Sequence, residues 1–381
     1  MSEEIESHVL KHYEVVQKLG KGAYGVVWKC LKKEKDKQKN TFVALKKIFD
    51  AFQNATDAQR TFREIMLLLQ MDHENIIKLI NVMKAENNKD MYLVFDYMDT
   101  DLHAVIRAGI LEDVHKQYVI YQIAKCLKYM HSAELLHRDL KPSNILLNSE
   151  CVVKVADFGL ARSTAAQEGG GPTILTEYIA TRWYRAPEVL LGSTKYGKAV
   201  DMWSLGCIFG EVLIGKPIFP GSSTSNQLDL ILEVTGKPTQ EDIESTNSDM
   251  AGSILESLAP TTKKSMKEKF PNVSPEALDL LTRLLAFNPS KRPTAEETLE
   301  HPYLADFHNP NDEPVAPKLI TVPIDENRKA SIREYRDELY KEIKRIKKIE
   351  RQRLWQNADQ DESKSPTAQK SHLTGVSDTN L

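Results

Sequence analysis

The chain of 381 residues carries 51 Lys and Arg against 54 Asp and Glu, a formal net charge of −3, with 41% hydrophobic and 28% charged residues. That length accommodates two lobes or domains, the charge balance gives no overall pull toward nucleic acid, and no apolar run reaches the roughly 18 residues of a membrane span. Four separated cysteines (Cys30, Cys126, Cys151 and Cys207), with no CxxC pair and no His beside them, argue against structural disulfides and against zinc. A reducing compartment, cytoplasmic or nuclear, fits this usage. The acidic start MSEEIESHVL lacks the apolar core of a signal peptide.

Tyr13–Leu19 is strand-like, and Gly20-Lys21-Gly22-Ala23-Tyr24-Gly25 follows it. A dinucleotide-binding fold would place a helix after the third glycine. Here Val26-Val27-Trp28 continues as a strand, and a Lys-rich turn leads into Thr41–Lys46. The pattern predicts a hairpin flap whose backbone amides approach phosphates closely. Lys46 ends the run Val43-Ala44-Leu45-Lys46, where a surface Lys could simply snorkel. The helical stretch Asp57–Gln70 presents Glu64 beside an apolar face of Phe62, Ile65, Met66 and Leu69. A half-buried carboxylate there needs a cation, since leaving it unpaired costs several kcal/mol, and Lys46 is the candidate.

Asn75–Leu79 and Met91–Phe95 read as two further strands of a small, mostly antiparallel sheet. Beyond Asp96-Tyr97-Met98 the chain turns helical, over Asp101–Arg107 and Val114–Met130, so a lobe boundary falls near Met98. His137-Arg138-Asp139-Leu140-Lys141-Pro142-Ser143-Asn144 then sets a carboxylate, an ammonium and a carboxamide in one short loop ahead of the apolar Ile145-Leu146-Leu147. Phosphoryl transfer needs such a set: an oxygen to orient a hydroxyl, a cation for the moving phosphate, and an oxygen ligand for magnesium. Asp157-Phe158-Gly159, after the short strand Lys154–Ala156, offers a second oxygen ligand to pair with Asn144. Leu160–Leu175 is rich in Ala, Gly, Ser and Thr and predicts mobility; it ends in Thr176-Glu177-Tyr178. Arg63, Arg138, Arg162, Arg182 and Arg185 stand in or beside these elements, available to phosphates added on the two hydroxyls.

The series from the glycine flap through Lys46, Glu64, His137–Asn144, Asp157–Gly159 and Ala186-Pro187-Glu188 resembles the protein-kinase signature in order and spacing, over roughly Tyr13–Leu304. Thr176-Glu177-Tyr178 ahead of Ile-Ala-Thr-Arg-Trp-Tyr-Arg is similar to mitogen-activated protein kinases of the extracellular signal-regulated type. The loop Ala165–Gly171 and the basic tail look more like their atypical, self-activating subgroup. The resemblance implies an α+β, two-lobed fold, with a sheet-based N-lobe bearing one major helix (13–98) and a helical C-lobe (99–304) that includes an insert at about 241–269. Residues 1–12 would form an N-terminal extension, 305–355 a C-terminal one, and 356–381 a disordered tail.

The same resemblance implies the cofactors ATP and Mg2+. Leu19-Gly20-Lys21-Gly22-Ala23-Tyr24-Gly25-Val26-Val27 would roof the nucleotide, and its adenine would meet the hinge backbone at Asp96 and Met98, between Val27, Ala44 and Leu146. Lys46, held by Glu64, would contact the α- and β-phosphates. Asp139 would accept from the substrate hydroxyl, Lys141 would neutralise the transferring phosphate, and Asn144 and Asp157 would hold magnesium. Asp201 would brace the catalytic loop, and Arg292 would pair with Glu188. Substrates would be Ser or Thr followed by Pro, read around Ile179–Tyr184. A cyclin-dependent-like kinase and a catalytically silent scaffold are the alternatives.

Two departures stand out. The family's acidic docking motif reads Asn309-Pro310-Asn311-Asp312-Glu313 here, with Asn in place of its first acid, so docking of basic motifs at Asp312 and Glu313 is expected to be weakened. Phe95 precedes the hinge where many relatives of the extracellular signal-regulated type carry Gln. Activation is expected by phosphorylation of Thr176 and Tyr178, either by an upstream kinase or by the chain itself. From Arg328 to Arg353 eleven Lys and Arg face five Asp and Glu, with Ile332, Tyr335, Leu339, Ile343, Ile346 and Ile349 at helical spacing. This predicts a basic amphipathic helix, packed on the domain or serving partner binding, nucleic-acid binding or nuclear import.

Overall fold

The computed structural model describes residues 3–22, 25–33, 41–164, 181–260, 262–325, 328 and 330–363. Ala23, Tyr24, Thr176 and Tyr178, with the Ala-, Gly- and Thr-rich loop from Ala165 onward, lie outside the described residues.

After a short helix α1 (Ser7–Leu10), five strands form an antiparallel sheet: β1 (Tyr13–Gly22), β2 (Gly25–Lys32), β3 (Phe42–Ile48), β4 (Leu79–Lys84) and β5 (Met91–Asp96), in the order β1-β2-β3-β5-β4. Side chains alternate across a strand, and both faces of this sheet are used. On β5, Met91, Leu93 and Phe95 enter the main core, whereas Tyr92 and Val94 join Val26, Trp28, Val43 and Leu45 in a second cluster. The N-terminal residues Val9 and Tyr13 roof that second cluster. Helix α2 (Ala55–Leu68) covers the first face; Asn54 caps it by accepting from the amide of Asp57 at 2.9 Å. Phe62, Ile65 and Met66 are buried on α2, and so is Glu64.

The fourth strand differs from the sequence reading. Residues 75–78 do not join the sheet; Ile76 makes a single parallel bridge to Val155, and the Asn75 carboxamide donates to the carbonyl of Val153 at 2.9 Å. Asn75–Leu79 therefore ties the two lobes together, and the strand begins at Leu79.

The C-lobe opens with β6 (Thr100–Asp101) and α3 (Leu102–Ala108), the latter capped by Asp101 and closed by Gly109 at φ 65°. Helix α4 (Asp113–Ser132) leads through β7 (Leu135–Leu136) to β8 (Ile145–Leu147), β9 (Val153–Val155) and β10 (Arg162–Ser163). Then follow α5 (Pro187–Leu190) and α6 (Ala199–Ile214), which is buried over nearly its whole length. Helices α7 (Thr224–Thr235), α8 (Gln240–Glu244), α9 (Ala251–Ser257), α10 (Met266–Lys269), α11 (Pro275–Leu284) and α12 (Ala295–Leu299) complete the lobe. The weakly patterned insert thus contains short helices, two of them closed by side-chain capping boxes at Thr239 and Ser265.

The basic tail forms α13 (Ile332–Ser363), which packs back on the N-lobe. Tyr335 and Leu339 are buried in the main core, with the Tyr335 ring 5.4 Å from that of Phe62 on α2. Farther along, Tyr340 sits 6.4 Å from Phe52, and Lys347 donates to the carbonyl of Val82 on the sheet-edge strand β4 at 2.9 Å. The helix runs to Ser363, eight residues into the tail expected to be disordered from Gln356, and residues 364–381 of that tail lie outside the described residues. Its last turns are polar, yet they contain no Gly or Pro until Pro366, so nothing local breaks the helix.

Replacing Tyr335 with Ala removes a buried ring from between α13 and α2. A stability loss of about 3–5 kcal/mol is expected in denaturant titration; a loss below about 1 kcal/mol would show that α13 adds little to the core.

Candidate active site

A cavity of about 460 Å³ opens between the lobes, lined among others by Gly22, Val27, Lys46, Glu64, Asp139 and Asp157. These come from β1, β2, β3, α2 and two loops of the C-lobe, so the packing described above is what brings them together.

The upper wall is set by β-ladder register. Gly25 pairs with Ile48, and a side chain at Gly25 would stand 2.2 Å from the Lys47 carbonyl oxygen. The third glycine is therefore required by the close approach of β3, whereas added carbons at Gly20 and Gly22 would meet open space. Leu19 is exposed, and Lys21 is held 2.8 Å from Glu3. Lys46 lies opposite Leu93 on β5, and its ammonium sits 3.4 Å from Oε1 of Glu64. Burial works against that ammonium, but the carboxylates of Glu64 and Asp157 outweigh it and raise its pKa above the ordinary lysine value. Burial likewise raises the Glu64 carboxyl, with Lys46 opposing. The pair is thus a charge compensation across α2 and β3. Ala44 and Leu146 stand partly buried at the rear, beside the buried Phe95 and Met98. Asp96 ends β5 opposite Val43, its side chain 3.3 Å from Lys154.

The lower wall is organised by Asp201, fully buried near the start of α6. Its carboxylate accepts from the backbone amides of His137 and Arg138, both at 2.9 Å, and pairs with His131 at 3.1 Å. Burial would raise this carboxyl; the His131 hydrogen bond, with help from His137 and the Arg138 amide, brings its pKa below the usual aspartate value. The grip matters because Arg138 adopts φ 68° and Asp157 φ 65°, left-handed conformations that β-carbon-bearing residues avoid. The His137 imidazole shares a hydrogen bond with the Ala156 carbonyl at 3.1 Å, and its ring centre is 5.0 Å from that of Phe158, which locks the two strained loops to each other.

Within the loop, Lys141 donates to Oδ2 of Asp139 at 2.7 Å. The Asn144 amide donates to the Asp139 carbonyl at 2.9 Å and to its Oδ2 at 3.3 Å. Asp139, Lys141 and Asn144 form one hydrogen-bonded set, with Asp157 across the cavity.

Arg63, Arg138 and Arg162 converge from three elements. Arg63 reaches from α2 to the Gly159 carbonyl at 3.2 Å, and Arg162 pairs with Leu136 in the β7–β10 ladder, just ahead of Arg138. Arg182 faces elsewhere: it donates to the Ser222 carbonyl at 3.0 Å, while the Trp183 indole donates to Gly221 at 3.1 Å. These bonds, with the Ser204 hydroxyl donating to the Tyr184 carbonyl at 2.8 Å, anchor the 181–185 turn, in which Arg185 is half-buried. Glu188 and Arg292 form a buried two-pronged pair at 2.7 and 2.8 Å.

Of the two acids read as a docking site, Glu313 is buried and occupied by His308 at 2.8 Å, the Asn309 amide at 3.0 Å and Lys128 at 3.3 Å. Asp312 engages Lys125 at 2.8 Å. Glu313 thus supports the segment internally and is not presented to a basic peptide. Tyr196 is a residue that sequence reasoning missed; it lies in Ser193–Gly197, where no periodicity or motif marks it.

Residues 13–304 match the protein kinase domain family. The chain is 62% identical over 355 residues to extracellular signal-regulated kinase 2 of Dictyostelium discoideum, covering 92% of this chain and 95% of that one. It is 54% identical over 344 residues to mitogen-activated protein kinase 15 of Xenopus laevis, covering 89% of this chain and 58% of that longer relative. It is 47% identical over 320 residues to mitogen-activated protein kinase 13 of Arabidopsis thaliana, covering 83% and 86% of the two.

The lowered Asp201 pKa fixes the sign of a pH effect. Its contribution is complete above the unfolded-state value near 4 and fades as pH falls through the lower folded value. Asp201→Asn should therefore be less stable than the parent by a constant amount between about pH 5 and pH 8, with the gap closing in more acidic solution. Paired denaturation curves across that range test this, and a gap that widens toward low pH would contradict it.

Proposed function

This chain belongs to the protein kinases, in their mitogen-activated branch, and on that premise we propose that it transfers the γ-phosphate of ATP to Ser or Thr hydroxyls followed by Pro. The observation that carries the reading is the hydrogen-bonded set Asp139–Lys141–Asn144, facing Asp157 and Lys46 across a single cavity.

The donor atoms suit the cofactors. Asn144 and Asp157 offer oxygen, the ligand type of a hard cation such as Mg2+, and no His or Cys is among the described residues that line the cavity. Lys46, kept charged by Glu64, suits the phosphates of a nucleotide. When bound, ATP supplies the phosphoryl group and Mg2+ neutralises charge on its phosphates. The chain's own part is to position and to stabilise. Asp139 Oδ orients the incoming hydroxyl and accepts its hydrogen bond and then its proton. Lys141, already on Asp139, lies where it can also neutralise the group in transit. With its nitrogen on Asp139, the Asn144 carboxamide would have its oxygen available to hold the cation. The glycine flap, bound to β3 through Gly25, excludes water above.

The anchored 181–185 turn supports the residue after the target hydroxyl, which accounts for a proline-directed preference. Phosphates on Thr176 and Tyr178 would recruit Arg63, Arg138 and Arg162 from α2, the catalytic loop and β10, and Arg185 from the turn; Arg182, bound to Ser222, would have to let go first. Autophosphorylation is the favoured route, because the docking segment offers a partner only Asp312. A cytoplasmic or nuclear location suits an ATP-dependent enzyme whose four cysteines are all free.

Radiolabel transfer to a basic protein tests the chemistry: Asp139→Ala should lower kcat by about 10²–10⁴ with little change in KM for ATP, and chelation of divalent metal should abolish transfer. Activity undiminished in Asp139→Ala would refute the assigned role. Mass measurement tests the route. Protein made in bacteria should carry both phosphates and Asp139→Ala neither; unmodified parent protein would require an upstream kinase.

A further inference from the structure

Tyr196 lies between α5 and α6, outside every role assigned so far. Its side chain is only 7% exposed, and its hydroxyl is buried without a hydrogen-bond partner among the described residues. A buried, unsatisfied hydroxyl is costly, and the few that persist call for an explanation. Its surroundings supply one. The Arg138 guanidinium stands over the Tyr196 ring, 5.6 Å from its centre. Burial pushes the phenol pKa up, while the positive charges of Arg138, Arg162 and Arg63 act to lower it and Asp201 to raise it. Three guanidiniums from α2, the catalytic loop and β10 therefore bear on one unused O–H donor.

A donor left over among cations suits an oxyanion with more acceptor oxygens than the arginines saturate. A phosphate monoester, with three strong acceptor oxygens and a charge near −2, is that ligand; a carboxylate has only two oxygens and half the charge. We propose that Tyr196 is a positioning residue of the arginine cluster, its ring fixing the Arg138 guanidinium and its hydroxyl donating to a phosphate held by Arg63, Arg138 and Arg162. This rests on the reading of that cluster given above. Because Arg138 precedes Asp139, the contact would link phosphate binding to the catalytic loop in one step.

The test uses the full chain and Tyr196→Phe, each prepared with loop phosphates confirmed by mass and after phosphatase treatment. Without phosphate the variant should melt at or slightly above the parent, because it loses only an unsatisfied hydroxyl. With loop phosphates the variant should gain less than the parent, by about 2 °C in Tm. A purely structural tyrosine would shift both forms alike. In a second arm, inorganic phosphate is titrated into the phosphatase-treated proteins. A smaller gain for Tyr196→Phe in either arm supports the proposal, and the arm that shows it identifies the source as the chain's own loop or a free anion. Equal gains in both proteins overturn the role of Tyr196 and leave the cluster reading intact. If even the parent gains in neither arm, the cluster reading falls and the proposal with it.

Discussion

The buried carboxylate of Asp201 is the constraint on which the lower half of the cleft depends. A fully desolvated charge is unfavourable by several kcal/mol unless its acceptor capacity is filled. Two backbone amides and His131 fill it here. In return, the carboxylate holds Arg138 in a left-handed conformation that the chain would otherwise avoid. That turn aims Asp139 into the cavity and the Arg138 side chain away from it, toward Tyr196. One interaction in α6 thus determines both where the Asp139 carboxylate points and which way the Arg138 guanidinium faces.

The upper half relies on a different compensation. Lys46 and Glu64 sit on separate elements, so their 3.4 Å contact reports the seat of α2 on the sheet. That seat is defined from both ends. Ile65 and Met66 press α2 on the sheet, and Phe62 meets Tyr335 of α13. The segment after the catalytic domain is therefore part of the support of its N-lobe, which favours the packed form of the basic helix over one held out for a partner.

What could be read beforehand was local chemistry at short spacing. Asp139, Lys141 and Asn144 lie within one loop, and the structure joins them by direct hydrogen bonds. Lys46 and Glu64 were also legible, because a carboxylate beside an apolar helix face demands a cation. Long-range context was not. Asn75–Leu79 has strand composition, yet its carboxamide is drawn to Val153 and its one bridge to Val155, so tertiary contact overrides local preference. Glu313 reads as a surface acid and is buried against Lys128, far away on α4, and His308, just ahead of the docking segment. Gly25 was expected to serve phosphate approach, whereas its own requirement is the Lys47 carbonyl. Tyr196 carries no signal, since its significance lies in what surrounds it.

The sheet's two free edges are closed in unlike ways. On β1 the pairing with β2 is interrupted by irregularities at Val15/Gln17 and Lys18/Gly20, and Lys18 and Lys21 share the Glu3 carboxylate, so a charged, bulged edge repels another strand. On β4 the protection comes from both ends of the chain, with His8 of α1 meeting the Lys84 carbonyl at 3.1 Å and Lys347 of α13 occupying the Val82 carbonyl. The first edge is guarded by chain made first; the second depends in part on chain made last. During synthesis the Val82 carbonyl on β4 therefore waits for more than 250 residues to follow, from Lys84 to Lys347. Self-association of nascent or C-terminally shortened chains, rather than lost chemistry, is the hazard this arrangement carries.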